Sequence, residues 1–188
     1  MKLTAWNIRG LGSKRKQRNL NNRIKEEKPD MVFIQETKCS IDKIREIHSK
    51  WLIKYEYLEV KANNIVGGIL TLWNPHKFGI MDAKASRNYL SMVIQPMGDK
   101  EIYMITIFYG HQKPEDKLRL LTSLEELRER HPVMPWILGG DFNMIRSLTE
   151  KKGRDQNTRQ RLHCIPELPN QHEASGHGNS KWYLHMEQ

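Results

Sequence analysis

The chain has 188 residues, 31 basic against 22 acidic side chains, a formal charge of +9 and a mean hydropathy of −0.72. That length suits one domain, and the two cysteines, Cys39 and Cys164, exclude a disulfide scaffold and a thiolate zinc site. The start Met1-Lys2-Leu3 lacks the apolar stretch of a signal peptide, and no run approaches the ~20 residues that a bilayer requires. An intracellular, soluble, monomeric protein with no membrane partner is expected. The positive charge points to a polyanionic partner, because clustered Lys and Arg release counterions from a phosphate backbone.

Residues 3–8 form the first predicted strand, which ends on Asn7 and Arg9-Gly10. The run Lys14-Arg15-Lys16-Gln17-Arg18 follows directly. It is either a basic flank of a site at that strand end or a solvated helix start. A helix is predicted over 18–28, with Leu20 and Ile24 on one face and Pro29 as the stop. Residues 31–35 read as a strand running into Gln35-Glu36-Thr37, and 40–50 as a second helix. Further strands are predicted at 65–73, 89–95 and 102–109.

Pro114-Glu115-Asp116 opens a third helix, with Leu118, Leu121, Leu124 and Leu127 as its apolar stripe. Pro132 and Pro135 separate it from a strand at 136–139. Alternating strands and helices predict an α/β fold in which helices cover sheets in layers. From Gly153 the apolar period disappears, so residues 1–153 are read as the domain and 154–188 as a divergent, disordered tail without elements.

The string Gly139-Gly140-Asp141-Phe142-Asn143 delivers a carboxylate and an amide from a strand end. Asp141 and Asn143 sit two apart, so in extended backbone both project to one side, where they can position a water or a phosphoryl oxygen. An Asx turn is the plainer alternative. Glu36, between a buried-type strand and a turn, can reach a hard divalent cation, and Asn7 on the neighbouring strand can add a neutral oxygen. As isolated residues they read equally as an exposed acid and a turn amide. Tyr109 is either a core tyrosine or a phenol donor to a phosphate or a nearby carboxylate.

Taken in order, Trp6-Asn7-Ile8-Arg9-Gly10-Leu11, Gln35-Glu36-Thr37, Gly67-Gly68, Tyr109 and Gly139-Gly140-Asp141-Phe142-Asn143 resemble the endonuclease/exonuclease/phosphatase superfamily, which includes DNase I and apurinic endonucleases. Over residues 2–153 the chain is most similar to the endonuclease domain of plant LINE-type retrotransposons. The resemblance implies a four-layer α/β sandwich, incomplete at its C-terminal part, and a Mg²⁺-dependent phosphodiesterase that nicks DNA, with Mn²⁺ as a substitute. It implies Glu36 and Asn7 at the metal, Asp141 and Asn143 on the water, and Tyr109 bracing the phosphate. Arg9, Lys14, Arg15, Lys16 and Arg18 then contact nucleic acid, and a nuclear location fits the family.

The family also carries a C-terminal Ser-Asp-His segment, and the nearest string here, Ser175-Gly176-His177, lacks the Asp. Weak or absent nicking is therefore expected. The alternatives are a non-catalytic nucleic-acid-binding fragment and a phosphatase acting on a small phosphorylated molecule.

Overall fold

The computed structural model describes residues 1–62, 67–110 and 113–141, together with the backbone of 183–187. The elements run β1 (Lys2–Asn7), α1 (Lys14–Glu27), β2 (Met31–Gln35), α2 (Ile41–Ile47), a π-helical turn (His48–Leu52), β3 (Glu56–Val60), β4 (Ile69–Trp73), β5 (Phe78–Ser86), β6 (Tyr89–Pro96), β7 (Tyr103–Tyr109), α3 (Pro114–Arg130), β8 (Trp136–Asp141) and β9 (Tyr183–Glu187). One sheet has the order β3-β4-β2-β1-β9 and the other β5-β6-β7-β8. Both are mixed: β1 lies parallel to β2 and β9, and β7 parallel to β8, while the remaining pairs are antiparallel.

Three apolar clusters separate four layers, in agreement with the expected α/β sandwich. Strand alternation divides the side chains of each sheet between its two faces. Leu3 and Ala5 of β1, Met31 and Phe33 of β2, and Ile69 and Trp73 of β4 meet Leu90, Met92, Ile94, Tyr103, Ile105 and Ile107 of the second sheet. The alternate residues Trp6, Val32, Ile34, Leu70 and Leu72 face Leu20 and Ile24 of α1 and Ile44 and Ile47 of α2. On the far side, Leu120, Leu124 and Leu127 of α3 cover Tyr89 and Phe108. Two β-α-β crossovers, β1-α1-β2 and β7-α3-β8, bring their strands to one rim in parallel, one in each sheet.

Several sequence expectations shift. Helix α3 buries Leu120, Leu124 and Leu127 and leaves Leu118 66% exposed, because spacings of four and three hold one face at 3.6 residues per turn while repeated threes drift off it. Helix α1 starts at Lys14, where the Ser13 hydroxyl accepts from the backbone of Lys16. The basic run is therefore inside the helix. The second helix ends as α2 at Ile47 and passes into the π-helical turn.

Strands β3 and β5 were not expected. β3 is an edge strand only partly buried over Tyr57, Leu58 and Glu59, and β5 is an edge strand whose register shifts between Ile80 and Asp82. Neither shows the alternation that marks a half-buried strand. Within residues 154–188, read from the sequence as a tail without elements, Tyr183–Glu187 forms β9 alongside β1, from Lys2↔Tyr183 to Trp6↔Glu187. Five residues that pair with the opposite end of the chain carry little local signal. The boundary assigned at 153 lies outside the described residues. Among the described residues, no helix is long and apolar enough to cross a membrane.

Close packing yields two predictions. Phe33 is fully buried between the sheets, so Phe33→Ala should lower the unfolding free energy by about 3–5 kcal/mol in urea titrations. Gly140 has φ +153, and a Cβ there would overlap the carbonyl of Phe108. Gly140→Ala should therefore destabilise by about 1–3 kcal/mol, visible in the same titration, and push β8 away from β7.

Candidate active site

Side-chain rows that are apolar in the middle of the sandwich turn polar at the rim reached by β1, β2, β7 and β8. Asn7 follows Leu3 and Ala5 on β1, Gln35 follows Met31 and Phe33 on β2, and Tyr109 follows Ile105 and Ile107 on β7. Asn7 pairs in register with Gln35, and Tyr109 with Asp141. The Gln35 side-chain amide donates to the backbone oxygen of Phe108 at 2.7 Å, a buried bond that joins the sheets just inside the rim. Asp141 is held to the loop after β7 by its own carbonyl, which accepts from Gly110 N–H at 2.6 Å.

The loops beyond these strands are laced together by backbone hydrogen bonds. Gly10 and Leu11 N–H donate to the carbonyls of Glu36 and Thr37, both at 2.7 Å, and Thr37 and Lys38 N–H donate to Gly68 and Gly67 at 3.2 and 3.1 Å. This accounts for the paired glycines. Gly68 has φ +88, and a Cβ there would overlap the Thr37 hydroxyl. Arg9, Glu36 and Lys38 also hold left-handed backbone at φ +47, +52 and +51. Each such residue is strained, and strain of this kind persists where the surrounding bonds over-determine the loop.

Glu36 is the electrostatic centre. Its side chain is 12% exposed, and one carboxylate oxygen accepts from the Asn7 amide at 2.9 Å while the other lies 2.9 Å from the Lys38 ammonium. The Tyr109 phenol donates to the same carboxylate, bridging the two sheets a second time. Burial pushes the Glu36 pKa up, but the Lys38, Asn7 and Tyr109 donors outweigh it and hold the group below the ordinary carboxylate value. Glu36 is therefore an anion at neutral pH. The Asn7 side-chain oxygen accepts from Arg9 N–H at 3.2 Å, which orients the amide.

Asn7, Glu36, Tyr109 and Asp141 thus come together at one rim. Asn143 lies outside the described residues, as does His177. Arg9 is exposed in the first loop, and Lys14, Arg15 and Arg18 are exposed on the start of α1, a helix with no acidic residue in its first turn. Lys16 differs: its ammonium donates to the carbonyls of Ile8 and Arg9 at 2.9 and 2.8 Å and so holds the loop. Sequence reasoning passed over Gln35 as the seam between sheets and Lys38 as the partner of Glu36. The second had a signal in the Glu-Thr-Lys spacing.

One carboxylate and one amide form a hard oxygen donor set. Such a set suits Mg²⁺, which keeps several waters and takes one or two carboxylates plus substrate phosphates. Among the described residues no group of three or more His, Cys, Asp or Glu is placed to hold a metal, so the donors do not form a closed protein cage.

The profile of the Endonuclease/Exonuclease/phosphatase family matches residues 4–184. Among solved structures, the chain resembles an endonuclease/exonuclease/phosphatase family protein from Bacteroides thetaiotaomicron, with TM-score 0.60 and 14% identity over 78% of this chain and 64% of that one. It resembles the human Nocturnin catalytic domain with bound sulfate anion, with TM-score 0.63 and 13% identity over 78% of this chain and 65% of that one. A third likeness is to D. rerio TDP2 complexed with single-strand DNA product, with TM-score 0.58 and 14% identity over 77% of this chain and 61% of that one. The chain spans less than two thirds of each of these three structures. No curated protein sequence matches. With the profile extending over nearly all of its length, the chain belongs to the endonuclease/exonuclease/phosphatase family.

Proposed function

We propose that this chain is a divalent-metal-dependent phosphodiesterase that nicks DNA, of the kind carried by LINE-type retrotransposons. The observation that carries this reading is Glu36, an ionised and nearly buried carboxylate with Asn7 and Tyr109 bonded to it, at the rim that Asp141 shares. The exposed cations Arg9, Lys14, Arg15 and Arg18 support a phosphate-backbone substrate, and among the described residues none of them has an ionic partner. A TDP2 structure solved with a DNA product is consistent with nucleic acid as the substrate class.

Glu36 and Asn7 would hold Mg²⁺ or Mn²⁺. When bound, the ion supplies a Lewis acid that offsets charge on the phosphoryl and leaving oxygens. Asp141, with Asn143 two residues on, orients the attacking water and accepts its proton as the water oxygen bonds to phosphorus and the phosphodiester P–O bond breaks. Tyr109, whose single O–H is given to Glu36, keeps that carboxylate in place beside the scissile phosphate. The basic start of α1 reads the backbone without reading sequence.

Supercoiled plasmid provides the test. Wild-type chain with Mg²⁺ should convert it to the open-circular form only slowly, because Ser175-Gly176-His177 lacks the family's Asp, and Glu36→Ala should abolish whatever Mg²⁺-dependent conversion there is. Glu36→Ala should also remove any Mg²⁺-induced rise in Tm; an unchanged rise takes Glu36 out of the site. Salt-dependent DNA binding with no Mg²⁺-dependent product favours the second reading, a non-catalytic nucleic-acid-binding fragment, to which the same basic helix start points.

Acid should act through the same carboxylate. The folded-state value of Glu36 lies below its unfolded value, so its contribution to stability is complete above the ordinary carboxylate range and is lost as pH falls through the lowered value. Glu36→Gln should flatten that acid limb in a plot of Tm against pH, and an unaltered limb would contradict the assignment.

A further inference from the structure

We propose that Lys38 is the resident counter-ion of the candidate metal site, that it is displaced from Glu36 when a divalent cation binds, and that it then pairs with a substrate phosphate oxygen. This rests on the reading of the rim as a metal-dependent phosphodiesterase site and names a substrate-binding residue within it.

The argument begins with occupancy. Both oxygens of Glu36 already hold a donor, the Asn7 amide at 2.9 Å and the Lys38 ammonium at 2.9 Å. A hard divalent cation sits roughly 2 Å from a carboxylate oxygen, so ion and ammonium would share the carboxylate at a separation of about 4 Å, where like charges repel strongly in a partly dry site. One of them must move. Asn7 is a neutral amide that can offer its oxygen by rotation, whereas an ammonium has no acceptor to offer.

Lys38 is built to be the group that moves. Its backbone is fixed, with N–H on Gly67 at 3.1 Å and φ +51, while its side chain is 36% exposed and rests on the loop near Gly10. Anchored at the base and held at the tip by the Glu36 ion pair, the four-carbon stem can carry the charge from the carboxylate to the rim, where a phosphate meets it as a point cation. A phosphate that takes the displaced ammonium lowers the cost of displacement, so anion and metal should bind with positive coupling.

Titration calorimetry of the 188-residue chain with Mg²⁺ alone tests this. Lys38→Gln should bind Mg²⁺ about tenfold more tightly than wild type, since the competing charge is gone, while Lys38→Arg, which keeps the charge, should stay near wild type. Inorganic phosphate should tighten Mg²⁺ binding to wild type and leave Lys38→Gln unaffected. Glu36→Gln should lose Mg²⁺ binding in either background. If Glu36→Gln loses the metal but Lys38→Gln binds it no more tightly than wild type, the metal site stands and the counter-ion role falls. If Glu36→Gln keeps the metal, both fall together.

Discussion

The buried hydrogen bond from the Gln35 side chain to the backbone of Phe108 is the constraint on which the site depends. Two sheets packed through an apolar layer can slide, because the hydrophobic effect has no direction. A directional bond in the low-dielectric interior fixes their relative offset, since leaving either group unpaired there costs the full desolvation of a polar atom. With the offset fixed, the ends of β1 and β2 on one sheet and of β7 and β8 on the other stand level. The Tyr109 phenol can then reach across the seam to Glu36. The site is thus a property of sheet registration as much as of the residues that line it.

Parts of this were plain in the sequence, for identifiable reasons. β2 is buried along its whole length, so its apolar run was unmistakable, and the proline and acids that open α3 fixed its start. The polar strand ends stood out because amides and carboxylates interrupt apolar strands at abrupt points. Edge strands hid themselves: β3 carries Glu56 and Glu59, and β5 passes through Asp82 and Lys84 on a bulged, solvent-facing edge. Charges and bulges on edges blunt association with other chains, and the same features remove the alternation by which a strand is recognised. Cross-sheet contacts such as Gln35 to Phe108, 73 residues apart, leave no periodic trace at all.

Charge is distributed around the rim in two ways. Lys16 is committed to two loop carbonyls and holds the first loop in shape, while Lys38 balances the charge of Glu36. Arg9, Lys14, Arg15 and Arg18 are exposed, and three of them stand at the amino end of α1, where the helix dipole is also positive. No acid in the first turn relieves that accumulation, so the helix start is held by the Ser13 cap and by burial of Leu20 and Ile24. An arriving polyanion would remove an electrostatic penalty that the folded chain otherwise carries.

The position of β1 has a consequence for synthesis. It leaves the ribosome before the other described strands, yet its outer neighbour in the sheet is β9, the last described strand. At roughly 5–20 residues per second, the interval before that neighbour is made is about 10–35 s. For that time Leu3 to Trp6 present an unpaired backbone edge on a nascent polypeptide, open to whatever strand comes first. Ribosome-associated chaperones, or a pause that lets α1 and β2 fold onto β1 early, would decide how often that edge is captured by the wrong chain.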